Sequence, residues 1–260
     1  MLRSLLSMLG VYRVYEKWLW HQVKNNPKPE HIGIILDGNR RWASNHSLNP
    51  NLGHYYGADK TEEMLRWCLD LGVRSITLYV FSTENFNRPR EEVKDLMRLF
   101  EERLQRILEN RDIHKYRVRI KAIGRLHLLP KRLQKIIKEI EEATKDYDGY
   151  FLNLAIAYGG RAEIIDATKK LARKVLNGEL SIEDIDEEIF EKNLYTSHLP
   201  KQDPDLIIRT SGEERLSGFL LYQSAYSELC FIDVYWPEFR RIDLLRAVRT
   251  YQKRKRRFGR

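Results

Sequence analysis

The sequence has little cysteine, no long apolar run and no low-complexity stretch, and each absence removes a class of protein. Cys68 and Cys230 are the only cysteines in 260 residues. They are far apart and lack CxxC spacing, so a disulfide scaffold is excluded and both read as reduced, buried thiols of a cytoplasmic protein. No segment is apolar for long enough to span a bilayer. There is no GxxxxGK[ST] loop and no GxGxxG after a strand, so neither a P-loop nor a dinucleotide fingerprint is present. HExxH and Cys/His sets are missing, which removes the usual zinc patterns. "IILDGN" superficially suggests the DxDGT motif of aspartyl-phosphate enzymes, but Ile35 stands where the nucleophile belongs. The acidic run at 183–188 lacks DDxxD spacing and reads as a solvated helix start.

What is present is a chain that can fold: 42% hydrophobic and 32% charged residues suffice for a core and a soluble surface. The net charge of +9 is unevenly spread. Ten lysines and arginines and one acid, Asp243, fall between Arg240 and Arg260, so this basic tail accounts for the whole excess. Such a tail can serve nucleic acid, anionic lipid or an anionic substrate. At the other end, Leu2, Leu5, Leu6, Leu9, Tyr12, Tyr15 and Leu19 recur near helical spacing. Residues 1–28 therefore read as an amphipathic helix, laid either on a membrane surface or on the protein body.

Short apolar runs alternate with helical patterns. Strands are expected at Ile32–Leu36, Ser75–Phe81, Val118–Ile123, Phe151–Ala157, Leu206–Arg209 and Leu229–Ile232. Helices are expected at Gly57–Leu71, Pro89–Asn110, Pro130–Lys145 and Arg161–Leu176, with short surface helices in Ile182–Leu194. This alternation predicts a single α/β domain, residues 29–260, with a central, mostly parallel six-stranded sheet flanked by helices. Polar clusters follow four strands: "DGNRRW", "STENFNR", "YGGR" and "RTSGEERLS". Open parallel sheets bind ligands at the carboxyl ends of strands. Loops are polar in any case, but that does not explain the arginine in every cluster: Arg41, Arg88, Arg161 and Arg209, with Arg215 close behind. As a set they predict a phosphate site. Asp37 beside them fits a magnesium shell completed by substrate phosphates. These residues do not name a reaction.

The motifs are more specific taken in order. "HIGIILDGNRRWA", Gly53–His54, "TLYVFSTENFNRP", "LNLAIAYGGRAEI", "DLIIRTSGEERLSGFLLYQSAYSEL" and "WPEF" resemble the signatures of the cis-prenyltransferases, the undecaprenyl and dehydrodolichyl diphosphate synthases, in their archaeal form. The resemblance runs from about His31 to the C-terminus. It implies a transferase that condenses isopentenyl diphosphate onto an allylic diphosphate, farnesyl or geranylgeranyl, with Mg²⁺, beside an apolar tunnel. It further implies a polycis glycosyl-carrier lipid precursor as product and no nucleic-acid partner.

By that resemblance, Asp37 holds Mg²⁺ with Glu228, and Ser82 and Asn85 act over the reacting pair. Gly38, Asn39, Arg40 and Arg41 open a helix whose start favours a diphosphate, and Asn39, Arg41 and His54 bind the allylic one. Arg88 belongs with Ser82 and Asn85 to the loop over the reacting pair, and some of Trp42, Tyr79, Phe81 and Phe86 line the tunnel entrance. Arg209, Arg215 and Ser217 clamp the isopentenyl diphosphate. Arg257 and Gly259 form a C-terminal RxG triplet that reaches a partner's substrate, so a homodimer is implied. A non-catalytic subunit of a heteromeric synthase is the alternative; intact Asp37, Asn85 and Arg209 argue against it. Two departures stand out: Pro50 replaces an arginine and Glu214 a histidine found in some relatives. Val80 and Tyr150 are expected along the tunnel, with Tyr150 limiting product length.

Overall fold

The computed structural model describes residues 11–254. The first ten residues, with Leu2, Leu5, Leu6 and Leu9, lie outside it, as do Arg257 and Gly259. Helix α1, Val11–Lys24, precedes strand β1, His31–Ile35. Helices α2, Asn39–Asn45, and α3, Leu52–Leu71, lead to β2, Ser75–Ser82. Then come α4, Arg90–Gln105, the short α5, Arg111–Lys115, and β3, Val118–Ile123. Helix α6, Lys131–Thr144, β4, Tyr150–Tyr158, and α7, Gly160–Leu176, follow. The described residues end with α8, Glu187–Glu191, strands β5, Leu206–Arg209, and β6, Glu228–Phe231, and helix α9, Arg241–Lys253.

All six strands are parallel, in the order β3-β4-β2-β1-β5-β6. Strands covered on both faces need continuous apolar sequence rather than alternation. β1 is buried at every residue and β5 likewise. From β1 the chain runs to β2 on one side and later to β5 on the other, which opens a crevice at the carboxyl ends of β1 and β5. The largest wholly buried side chains include Trp236, Tyr158, Phe81, Phe219 and Phe239.

Several boundaries differ from the sequence expectation. Helix α3 begins five residues earlier than read, because Gly53 and Gly57, poor helix formers, are needed there for a close contact with Asn39. The helix read as Pro89–Asn110 stops at Gln105 and breaks through a 3₁₀ turn, Ile107–Glu109; the Asn110 side chain then caps α5 by accepting the Asp112 N–H at 2.9 Å. Within Ile182–Leu194 the α-helix is confined to α8. The basic tail is largely not a tail: α9 occupies Arg241–Lys253 and buries Leu244, Leu245 and Val248 completely.

Helix α1 lies on the body. Leu19 and Val23 are wholly buried against α9, and each contributes about 1.5–3 kcal/mol by leaving water. Arginines of α9 and its N-cap lie on the aromatic rings of α1: Arg240 on Tyr12, Arg241 on Trp20, Arg246 on Tyr15 and Arg249 on Trp18, at 4.7–5.6 Å. Such contacts add about 0.5–1 kcal/mol each where exposed.

Candidate active site

The chain turns sharply out of β1 at Asp37 and Gly38. The Thr210 hydroxyl donates to the Asp37 carbonyl at 2.7 Å, and the Trp236 N–H donates to the same oxygen at 3.0 Å. Gly38 has φ 104°, and a Cβ there would lie 2.6 Å from the Tyr235 ring, so both conformation and space demand glycine. The turn directs the Asp37 carboxylate into the crevice. Arg209, the last residue of β5, donates to one carboxylate oxygen at 2.8 Å, and Arg41, one turn into α2, donates to the other at 3.2 Å. Burial alone would raise the Asp37 pKa. The hydrogen bond and charge of Arg209, aided by Ser211 and Arg41, outweigh it and hold the carboxyl below its ordinary range.

Arg209 is 4% exposed and also donates to the Ser217 hydroxyl at 2.8 Å and to the Arg215 carbonyl. The loop that supplies these partners is strained: Ser211, Ser217 and Leu220 all have positive φ. Bonds from outside hold it. The Tyr79 hydroxyl donates to the Ser217 carbonyl at 3.1 Å, and the Gly160 N–H to the Gly218 carbonyl at 2.7 Å. Arg41 continues the charged layer, donating to Ser211 Oγ at 2.6 Å and to Glu213 at 3.2 Å. Glu213 pairs in turn with Arg215, which is 64% exposed at the rim.

A second cluster faces the first. Glu92, 5% exposed, gathers Arg88 at 3.1 Å, Arg40 at 3.4 Å and His54 at 3.7 Å. Burial first, and then the Arg88 charge, push His54 down to about 4, so it is neutral near pH 7. Asn85 Oδ1 accepts the Ser82 N–H at 3.0 Å and fixes the turn after β2.

Both clusters open on one cavity of about 1010 Å³. Its mouth carries Asp37, Asn39, Arg41, His54, Arg88 and Arg209, and its depth is walled by Leu65, Leu69, Leu96, Phe100, Leu152 and Ile113. Three polar atoms at the mouth, Asn39 Oδ1, His54 Nε2 and Arg209 Nε, are buried without a hydrogen-bond partner. Buried polar groups are rarely left so, and here they point to a polar ligand. On the cavity's side wall Arg103 of α4 bridges to Asp59 at 2.7 Å and Glu62 at 3.1 Å on α3.

Not every residue expected in the site is there. Trp42 does not line the cavity; its N–H donates to Glu238 at 3.2 Å and its ring packs on His46 and Tyr56. Phe86 packs edge-on against Phe81 and Arg161 is exposed on α7, both outside the cavity lining. Glu228 is at the wrong end of the sheet. It pairs in register with Leu206 and Ile32, five residues before Asp37, hence about 16 Å along the strand direction. Its carboxylate is bound by Arg254. Asp37 and Glu228 of one chain therefore cannot share an ion. Tyr150 packs on Tyr116 rather than lining the cavity, whereas Val80 does line it. Glu92, Glu213 and Ser211 were missed. Glu92 lies in the first turn of α4, where acids are commonplace, and its one sequence signal is the Arg88 spacing at i,i+4.

Among the described residues no three His, Cys, Asp or Glu side chains gather around one point. A divalent cation at the mouth would take Asp37 and draw its remaining oxygens from a bound phosphate, the usual arrangement for magnesium.

An α/β sheet with an arginine-lined crevice at its strand ends and an apolar-walled cavity behind it fits a protein whose ligand has an anionic head and an apolar body. Residues 35–259 match the family described as "Putative undecaprenyl diphosphate synthase", and the chain belongs to that family. It is 57% identical over 254 residues to a tritrans,polycis-undecaprenyl-diphosphate synthase (geranylgeranyl-diphosphate specific) of Methanocaldococcus jannaschii, covering 98% of this chain and 91% of the relative. The enzyme of the same name from Methanopyrus kandleri is 58% identical, with 98% and 93% covered. Among solved structures, lavandulyl diphosphate synthase from Lavandula x intermedia, in complex with dimethylallyl diphosphate, superposes with a TM-score of 0.85 at 36% identity. It covers 90% of this chain and 99% of that one.

Proposed function

We propose that this chain joins isopentenyl diphosphate to geranylgeranyl diphosphate, adding successive cis units to make a polycis-undecaprenyl diphosphate that serves as a glycosyl-carrier lipid precursor. The single observation that carries this reading is Asp37, held between Arg41 and Arg209 at the mouth of the apolar cavity. The names of the archaeal relatives support the primer and the product. The dimethylallyl diphosphate bound by the lavandulyl enzyme supports an allylic diphosphate as one of the substrates.

In each cycle the allylic C–O bond breaks, a carbon–carbon bond forms to the isopentenyl double bond, one proton is lost and diphosphate departs. Asn39, Arg40, Arg41, His54 and Arg88 bind and orient the allylic diphosphate as leaving group. Free N–H groups at the start of α2 point toward the same anion. Arg209, Arg215 and Ser217 hold the second diphosphate, so the two reacting carbons are brought together. Asp37 would hold Mg²⁺ together with substrate phosphates, and the ion would supply charge neutralisation for the departing diphosphate. Each such preorganised donor is typically worth about 3–4 kcal/mol of barrier. Ser82 and Asn85 close over the mouth. Leu65, Leu69 and Phe100 accept the lengthening apolar tail and exclude water from it. The proposal includes a homodimer in which the RxG triplet, Arg257 to Gly259, completes a partner's site.

The test is turnover of purified protein with labelled isopentenyl diphosphate, Mg²⁺ and either farnesyl or geranylgeranyl diphosphate, with product lengths resolved. The expected result is a C55 product, formed faster from the geranylgeranyl primer. Absence of any extractable product with both primers sinks the transferase reading. A product confined to the farnesyl primer sinks the primer assignment alone.

A further inference from the structure

The two faces of α1 differ in kind. The inner face, with Leu19 and Val23, is buried on α9. The outer face carries a short apolar stripe: Val11 is 44% exposed, Val14 70% and Trp18 44%. Their spacing of three and four residues puts them on one side of the helix. Beside the stripe stand exposed Arg13, Lys17, His21 and Lys24. The acid of α1, Glu16, is turned away from them toward Arg241 at 3.6 Å. The acid of α9, Asp243, is buried and bonded to Arg240. Exposed Arg246 and half-buried Arg249, seated on the Tyr15 and Trp18 rings, extend the basic border onto α9.

We propose that this outer face of α1 is a docking surface for an anionic lipid bilayer. The charge pattern selects the occupant. A row of exposed basic side chains, with the acids of the two helices already paired to Arg241 and Arg240, complements a negatively charged surface. The apolar stripe is narrow and shallow, with a tryptophan at its edge and long lysine and arginine stems beside it. That is the anatomy of a helix lying in the headgroup boundary rather than of a groove shaped for one protein segment. Trp18 is fixed for the task, stacked on Tyr15 at 5.6 Å with Arg249 on its other contact at 4.8 Å. The support also leads to the cavity: Arg241 reaches Asp70 of α3 at 3.2 Å, and Leu69 beside it lines the apolar wall.

The test is co-sedimentation of the full-length chain with vesicles of roughly one-third phosphatidylglycerol in phosphatidylcholine, against pure phosphatidylcholine. Preference for the anionic vesicles is expected, weakening as salt is raised. Lys17→Gln is expected to lower the partition coefficient about fivefold, and Arg13→Gln with Lys17→Gln about twenty-five-fold. Val14→Asp is expected to lower it further, and the Trp18 emission to shift to the blue on binding. All three side chains are exposed, and circular dichroism with thermal unfolding checks that the variants fold. Equal partition into neutral and anionic vesicles overturns the proposal. So does binding unchanged by these substitutions, or no sedimentation of the parent chain. Substrate is absent throughout, so this result is independent of the synthase assay.

Discussion

The Asp37 carboxylate accepts a hydrogen bond from the Arg209 guanidinium at 2.8 Å, across the crevice where the sheet changes direction. One residue follows the central strand β1 and the other ends its neighbour β5, so the sheet itself sets their separation. Asp37→Asn keeps the shape and removes the charge. A fall in kcat on the order of 10²–10³-fold is expected, with a lowered unfolding temperature because buried Arg209 loses its charged partner. Arg209→Lys keeps the charge and loses the fork to Asp37 and Ser217, so KM for isopentenyl diphosphate is expected to rise. Steady-state kinetics on both variants check this pair, and near-normal turnover of Asp37→Asn defeats it.

Gly57→Ala probes a close approach. A Cβ at this position would lie 2.2 Å from Asn39 Oδ1 and 3.1 Å from the Trp236 ring. Asn39 must move, and with it the start of α2. A rise of about tenfold or more in KM for the allylic substrate is expected, together with an overpacking cost of about 1–3 kcal/mol measured by denaturant unfolding. An unchanged KM would mean that Asn39 has no part in binding.

Product length is expected to answer to Val80 and not to Tyr150. Val80 lines the cavity, and Val80→Phe takes up space from it, so shorter products are expected on resolved chromatograms. Tyr150 packs on Tyr116 outside the lining, and Tyr150→Ala is expected to leave the distribution as it was.

Acid stability is expected to depend on three histidines. Burial pushes His31, His54 and His198 each down to about 4, against 6.5 when unfolded. Between those values the unfolded chain binds the additional protons. Stability is therefore intact above pH 6.5 and falls as pH drops toward 4. For His31, wholly buried with its ring at 2.8 Å from the Thr77 hydroxyl, the loss is about 1.4 kcal/mol per pH unit in that window. Unfolding of His31→Gln at a series of pH values is expected to show a limb shallower by that slope.

The strands were legible because double-sided burial leaves uninterrupted apolar runs such as Ile32–Ile35 and Leu206–Ile208. Asp37, Arg41, Arg88 and Arg209 were legible because a charge at the end of such a run has few structural uses. Glu92 was not, since an acid in a first helical turn ordinarily faces water, and only the fold brings Arg40 and His54 to it. Glu228 and Trp42 fail for a related reason: motif membership follows the chain, whereas register and helix face decide which side chains meet. α9 was concealed by its own arginines, which make it look like a solvated tail although several lie along aromatic rings on α1 and stay partly exposed there.

The ion pairs from Arg103 to Asp59 and Glu62 bear on how the interior can dilate. Exposed pairs of this kind hold by about 0–1 kcal/mol, whereas burying five more carbons is worth about 4 kcal/mol at roughly 0.8 per methylene. A growing hydrocarbon thus gains more from each added unit than parting that electrostatic latch consumes, and the guest itself can spread α3 from α4. Arg103→Ala is expected to shift the mixture toward longer chains, and an identical mixture would assign the rigidity of that wall to its packing.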